Sequence, residues 1–320
     1  MMKWSTPVEI KESSKKLKVS DRVFSMGSCF STEMTSLLSK GQIQTLSNPF
    51  GTLFNPYSIA NALERIHKLQ YYTEEDLVAY GDKILSLEHH SSFSGRYAHL
   101  TLEKINGRME EASTFLQSTS WVLLTFGSAF IYEFLPKGTL VANCHKLPSK
   151  FFNKRLLSPE EVYQSIEKSI VLLKDLCPKG VKILLSLSPV RHTKDGMVEN
   201  QRSKAILLSE LHRIVEQHED VDYLPAYEIL LDELRDYRYY KEDLIHPSAQ
   251  AVHYIFEKFG SAYFHEKTME FIEENFKIQK ALEHRPSDEK DPAYLKFQHS
   301  LNERIEAQKA QVSHPIFPAF

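Results

Sequence analysis

Two short stretches of this chain carry residue types that cooperate in nucleophilic chemistry. Near the start, Gly27-Ser28-Cys29-Phe30 follows an apolar run, Arg22 to Met26. Far down the chain stands Asp243-Leu244-Ile245-His246-Pro247-Ser248. A hydroxyl or thiol on a tight strand-to-helix turn becomes a nucleophile once a base takes its proton. An Asp three residues before a His can fold back onto imidazole Nδ1, leaving Nε2 to face that nucleophile. Each stretch has a plainer reading. Gly27 can make a turn, Ser28 can cap a helix and Cys29 can fill core space; on that segment alone the plainer reading is the better one. Asp243 can open an acidic helical turn beside a surface histidine. Their occurrence together shifts the weight towards chemistry.

The elements that must position these residues read as alternating strands and helices. Arg22–Met26 is a strand running into a helix over Ser31–Ser39, ended by Gly41, and Gln42–Leu46 is a second strand. The loop Asn48-Pro49-Phe50-Gly51-Thr52 is rich in turn residues. Pro56–Leu69 places Ala60, Leu63, Ile66 and Leu69 on one side of a helix. Ile84–Phe93 reads as a strand, Leu102–Leu116 as a helix and Phe130–Lys150 as a loop. The nearly all-apolar runs Trp121–Phe126 and Val181–Leu187 fit central strands of a parallel sheet covered on both faces. Ser158-Pro159-Glu160-Glu161 opens a helix between them. Helix over Asn200–Gln217, strand over Val221–Leu224 and helix over Ala249–Phe259 complete the rhythm, which implies an α/β sandwich with right-handed crossovers. In such a sheet, ligands bind beyond the carboxyl ends of the strands. Cys29 would lie there at a helix N-terminus, where a depressed pKa and partial thiolate character are expected.

Composition sets the frame. A 320-residue chain with 42% hydrophobic and 25% charged residues can bury a sizeable core. A net charge of −3 gives no electrostatic argument for nucleic acid or an anionic membrane. Cys29, Cys144 and Cys177 suggest neither a disulfide framework nor a zinc pattern. Met1 to Lys18 lacks the apolar stretch of a signal peptide, and no run reaches the ~18 apolar residues of a transmembrane helix. The expected setting is the cytoplasm, with reduced thiols. From His265 onward Lys, Glu and Gln dominate, so residues 1–264 read as the main domain and 265–320 as a helical extension, broken near Arg285-Pro286 and Asp291-Pro292. The apolar end, His314 to Phe320, reads as a frayed tail or a segment docked on the body or a partner.

The Gly27-Ser28-Cys29 and Asp243-x-x-His246 blocks together resemble those of the SGNH (GDSL-type) hydrolases, whose nucleophile block is Gly-Asp-Ser and whose base block is Asp-x-x-His. More closely, Gly27-Ser28-Cys29-Phe30-Ser31 resembles the signature of the GSCFA family, with Ser31 in place of the final alanine. The likeness extends through Asn48 to Thr52, Asn143-Cys144-His145-Lys146, Ser188-Pro189-Val190 and Asp243 to Ser248, across Val23 to Phe259. It implies an SGNH-like three-layer α/β/α sandwich with a mostly parallel sheet, and a hydrolase or acyltransferase role. Aligning Gly27 with the glycine of Gly-Asp-Ser makes Cys29 the first candidate nucleophile; a slip of one residue gives Ser28 that role. The resemblance also implies a glycine N–H and an asparagine amide around the oxyanion. Gly51 suits the first. The usual Gly-x-Asn is replaced by Gly127-Ser128-Ala129, and Asn143 is the substitute.

The expected reaction is hydrolysis or transfer of an acyl group from a small-molecule or glycan ester, with Cys29 attacking, His246 as base and Asp243 orienting it. No cofactor is needed, and neither nucleic acid nor membrane is expected as a partner. His145, beside Asn143, is a candidate substrate contact, with a satisfied loop histidine slightly the better reading. Arg191 and His192 follow a strand and can reach the cleft. His89, His90 and His99, taken with Cys144 and His145, match no zinc spacing, so metal-dependent hydrolysis ranks third. The second reading is a non-catalytic binding module that keeps the cleft and uses the helical extension for partners.

Overall fold

Short apolar runs ending in glycine or proline do become the central strands. The computed structural model describes residues 5–285 and 291–317. In it β1 (Arg22–Gly27) leads through α1 (Cys29–Lys40) to β2 (Gln44–Ser47) and α2 (Pro56–Lys68). A hairpin of β3 (Leu77–Tyr80) and β4 (Lys83–Ser86) and then α3 (Ala98–Leu116) precede β5 (Trp121–Phe126). Next come three short strands, β6 (Phe130–Phe134), β7 (Thr139–Val141) and β8 (Phe152–Leu156). After them come α4 (Pro159–Leu176), β9 (Lys182–Leu187), α5 (Met197–Gln217), β10 (Val221–Leu224) and a helical turn, α6 (Ala226–Glu228). The chain closes with α7 (Ala249–Tyr263), α8 (Glu266–Leu282) and α9 (Pro292–Lys309).

The main sheet has the order β10-β9-β5-β1-β2 with every pair parallel. Both faces of its strands are apolar, and alternate residues enter different cores. Phe24, Met26, Val122, Leu124, Ile183 and Leu185 point to one side, against α2, α3, α4 and α5. Val23, Trp121, Leu123 and Leu184 point to the other, against α1, α7 and α8. Two cores with a sheet between them make a three-layer α/β/α sandwich.

The chain leaves β1 towards β2 on one side and returns as β5 on the other. That change of winding direction opens a crevice above the carboxyl ends of β1 and β5, the usual ligand position in open α/β sheets. Gly27 opposes Thr125 in register there. It has φ +142°, and a Cβ would lie 2.1 Å from the Thr125 carbonyl oxygen, so the turn needs glycine.

Two expectations change. Residues 130–150 are not a loop: β6 pairs antiparallel with both β7 and β8. Pro136 and Gly138 mark the hairpin turn, where Gly138 N–H donates to the Phe134 carbonyl. The strand expected over Ile84–Phe93 stops at Ser86. Ser86 Oγ and His89 Nδ1 lie 2.7 Å apart in a side-chain bond that turns the chain.

The extension packs on the body. Phe271, Ile272 and Ile278 of α8 are buried in the same core as α1 and α7, and Asn275 Nδ2 donates to the Gly41 carbonyl at 3.0 Å. Ile316 and Phe317 are buried as well, and Phe317 N–H donates to Gln42 Oε1. This part of the end docks on the body; Pro318 to Phe320 lie outside the described residues. So does Pro286, near the first expected break; the second falls at the start of α9.

Candidate active site

Ser28 takes the N-cap position of α1, yet its side chain makes no cap bond. It is fully buried, and its Oγ donates to Ser188 Oγ at 3.0 Å. Its N–H donates to the Thr125 carbonyl. Ser28 is therefore spent tying β1 to the loop after β9. Cys29, the first helical residue, is only half-buried. Asn48 secures the turn: its Oδ1 accepts Gly27 N–H at 2.7 Å and its Nδ2 donates to Thr32 Oγ1 at 2.8 Å.

The Cys29 thiol departs from expectation. Its pKa is raised rather than depressed. Desolvation by burial is the largest influence and Glu33 adds to it; hydrogen bonds from the Cys29 and Phe30 N–H groups and the charge of Lys241 offset them only in part. The helix N-terminus does act on the sulfur, but removing the thiol from water outweighs it.

His246 and Asp243 form the pair that their spacing suggested. His246 Nδ1 lies 2.7 Å from Asp243 Oδ2. Asp243 Oδ1 accepts the N–H groups of Ile245 at 2.9 Å and His246 at 3.0 Å. These bonds hold the carboxyl far below the usual carboxylate range. Leu244, at φ +55°, supplies the left-handed step that lets the side chain fold back. His246 Nε2 makes no hydrogen bond among the described residues, to Cys29 Sγ or to any other atom.

Two ties hold this loop beside the β1 crevice. Arg191 N–H donates to the Ile245 carbonyl at 3.2 Å. Lys241, whose N–H bonds the His246 carbonyl, pairs through Nζ with Glu33 of α1 at 3.1 Å. His192 is near enough for a charge on His246 to oppose its protonation. His192 also lies against the Phe54 ring edge and beside Gly127, where a Cβ would be 2.8 Å from its Nε2. Burial, with the Lys204 and His246 charges, pushes its pKa down to about 4.

The other expected contacts are differently employed. Gly51 N–H donates to the Asn48 carbonyl at 2.7 Å, so it is not free for an oxyanion. Asn143 Oδ1 accepts His145 N–H at 2.8 Å. His145 Nε2 lies 2.7 Å from the Ser86 carbonyl oxygen. Both sit in the loop after β7, and no hydrogen bond or ion pair among the described residues joins them to Ser28, Cys29 or His246. His89 is a core imidazole, stacked on Phe50 at 4.4 Å and flanked by Tyr72 and Phe93. No group of three or more His, Cys, Asp or Glu among the described residues could hold a metal ion. Two cavities, about 530 and 340 Å³, lie elsewhere, beside β10 and between α2 and α4. A smaller one of about 200 Å³ adjoins the His246 loop, lined by Arg191, Leu230, Arg235, Tyr237 and Tyr240. Among the described residues, no helix is long and apolar enough to cross a membrane.

Sequence reasoning missed Asn48 as the clamp of the turn and Lys204, whose Nζ donates to the Ser188 carbonyl. A helix position that reads as one more lysine on a polar face gives no signal of burial.

A model of the GSCFA family matches residues 22–259. No curated protein matches. Among solved structures the chain is similar to a GDSL-like lipase from Bacteroides thetaiotaomicron, at 10% identity and a TM-score of 0.40 over 76% of this chain and 87% of that one. It is also similar to a carbohydrate esterase family 3 protein from Talaromyces cellulolyticus, at 8% identity and 0.35, over 79% and 98%. A DUF4886 family protein from Bacteroides uniformis matches at 10% identity and 0.38, over 90% and 95%. These are likenesses of chain path; the chemistry rests on the residues above.

Proposed function

The chain belongs to the GSCFA family, and from that premise we propose that it is an acyl-ester hydrolase or acyltransferase with Cys29 as nucleophile. The observation that carries this reading is the locked Asp243–His246 pair on a loop tied to both α1 and the β9 loop.

His246 Nε2 takes the thiol proton as Cys29 Sγ attacks the ester carbonyl carbon. The S–C bond forms and the carbonyl π pair moves to oxygen. Collapse expels the alkoxide, which leaves with the proton from His246. Water, or the hydroxyl of an acceptor, then attacks the thioester carbon with His246 again as base; the C–S bond breaks, the acid or new ester departs, and the Cys29 sulfur takes back the proton from His246. Asp243 holds the imidazole with Nδ1–H inward and stabilises its positive charge. Because the thiol pKa is raised, proton removal and attack belong to one step rather than to a standing thiolate. The N–H groups of Cys29 and Phe30, already directed at the sulfur, are the donors nearest a developing oxyanion. Gly51 and Asn143 hold no such position without rearrangement. The exposed ring of Tyr237 and the guanidinium of Arg191 beside the loop suit a polar ester, such as an acylated carbohydrate or small metabolite.

Kinetics on p-nitrophenyl acetate test the reading. Cys29→Ala and His246→Ala should each lower kcat/KM by about 10³-fold or more with circular dichroism unchanged. Full activity in Cys29→Ala with loss in Ser28→Ala would move the nucleophile back one residue. Activity surviving all three would place the site elsewhere.

One observation favours a second reading, a binding module without catalysis: the resting thiol is not activated. In that case wild-type protein should hydrolyse no ester, and Cys29→Ala should leave ligand binding intact.

A further inference from the structure

The cavity of about 200 Å³ beside the His246 loop is lined by Arg191, Arg235, Asp236, Tyr237 and Tyr240. A whole ligand pocket takes ~300–1,000 Å³, so this space fits one part of a substrate. Backbone contacts place it next to the base. Tyr240 bridges to Pro247, the residue after His246. Arg191 N–H donates to the carbonyl of Ile245, the residue before it. Tyr240, Ile245 and Cys29 all pack on the core shared by α1 and α7. The Arg191 guanidinium lies 4.0 Å from the centroid of the Tyr240 ring and 5.6 Å from that of Tyr237. It donates to the Tyr240 hydroxyl at 2.7 Å. A guanidinium has five N–H donors and keeps its charge throughout the working range of a protein. Among the described residues neither Arg191 nor Arg235 forms an ion pair. The lining carboxylate, Asp236, is engaged by Arg238: its Oδ1 accepts the Arg238 N–H at 2.8 Å, and its Oδ2 lies 3.9 Å from Arg238 Nε. Arg235 ends the π-helical turn Ile229–Leu234 at φ +30°, a left-handed conformation of the kind that recurs at ligand sites.

We propose that this cavity is a carboxylate subsite, in which Arg191 and Arg235 take an anionic group of the substrate held apart from the ester while the Tyr237 ring covers the adjoining part. As a subsite of the active centre, the inference rests on the reading of Cys29 and His246 as the reacting pair. Two cations lining one small cavity without a counter-charge repel each other, and a bound carboxylate removes that cost. Tyr240 holds Arg191 by one ring face and one donor. The rest of the guanidinium fork is therefore set in place before a ligand arrives, in the geometry that grips a carboxylate with two parallel bonds. The subsite narrows the substrate from a polar ester to one that also carries a negative charge.

Binding and kinetics test it separately. NMR titrations of the full chain at pH 7 compare benzoate with benzamide, its neutral counterpart of nearly the same shape. Wild-type protein should prefer benzoate by about tenfold. Arg191→Gln and Arg235→Gln should each bring the two ligands to within about twofold. Arg235 is exposed, so its variant keeps the test open should Arg191→Gln fail to fold. Equal binding of the two ligands by wild-type protein, or a preference unmoved by the substitutions, overturns the subsite. The kinetic arm locates the charge. Hydrolysis of p-nitrophenyl hydrogen glutarate is compared with that of p-nitrophenyl acetate, and 4-acetoxybenzoate with phenyl acetate, each relative to its uncatalysed rate. One anionic ester should exceed its neutral partner about tenfold in kcat/KM, and that ratio should fall in both variants. A preference in the first pair puts the carboxylate on the acyl side, and in the second on the leaving group. Turnover with no preference in either pair overturns the subsite. Benzoate preferred but no ester hydrolysed counts against the proposed function instead.

Discussion

Ser28 and Cys29 are neighbours with opposite fates, because the first residue of a helix and its cap point different ways. Ser28 turns inward to Ser188, and Cys29 stays partly open at the crevice. Two imidazoles show what burial does to charge in the same molecule. His89 is pushed down to about 3 and His192 to about 4, each chiefly by desolvation. Unfolded histidines take their protons near pH 6.5. From there down to about pH 4 the unfolded chain binds more protons, so stability falls on acidification. The urea midpoint should therefore drop between pH 7 and pH 5, before most carboxylates titrate. His89→Phe, which can stack on Phe50, should start lower at pH 7 for want of the Ser86 bond but show a shallower fall; an equally steep fall would contradict this. The Asp243–His246 pair was legible because its three-residue spacing acts locally. Lys204 and Asn48 were not, since their roles depend on which distant strand ends meet above the sheet.

At the scale of elements, β1 and α1 are joined by a turn that leaves no slack. Gly27 N–H has the Asn48 side chain as acceptor, and its carbonyl accepts Leu53 N–H at 3.0 Å. Asn48→Ala leaves that buried N–H unpaired, a loss of about 1–3 kcal/mol. It should lower the thermal midpoint and reduce ester turnover together. Loss of stability with unchanged kcat would show that the turn does not position Cys29. Trp121–Phe126 and Val221–Leu224 were read with their true bounds, because strands covered on both faces are short and uniformly apolar. The sheet of β6, β7 and β8 was missed because it forms around the small separate core of Leu85, Leu87, Phe134, Val141 and Leu147. Its burial pattern does not alternate cleanly along the strand.

For the molecule as a whole, a change of character at His265 in the sequence is not a change of core. Phe271, Ile272 and Ile278 bury about 1.5–3 kcal/mol each against α1 and α7. Their sum is comparable with the entire stability of an ordinary domain. Residues 1–264 alone should therefore be insoluble or lack a cooperative melt; a soluble fragment with a native-like transition would show that α8 and α9 are dispensable. What the proposed function requires at all three scales is that the Cys29 turn and the His246 loop share one crevice. The most direct test is to mix wild-type protein with p-nitrophenyl acetate, quench in acid and locate the acetyl group by peptide mass spectrometry. The account predicts one acetyl thioester, on Cys29, that forms far more slowly in His246→Ala. Acetyl on Ser28, or turnover with no acyl group on the peptide that carries both residues, would contradict it.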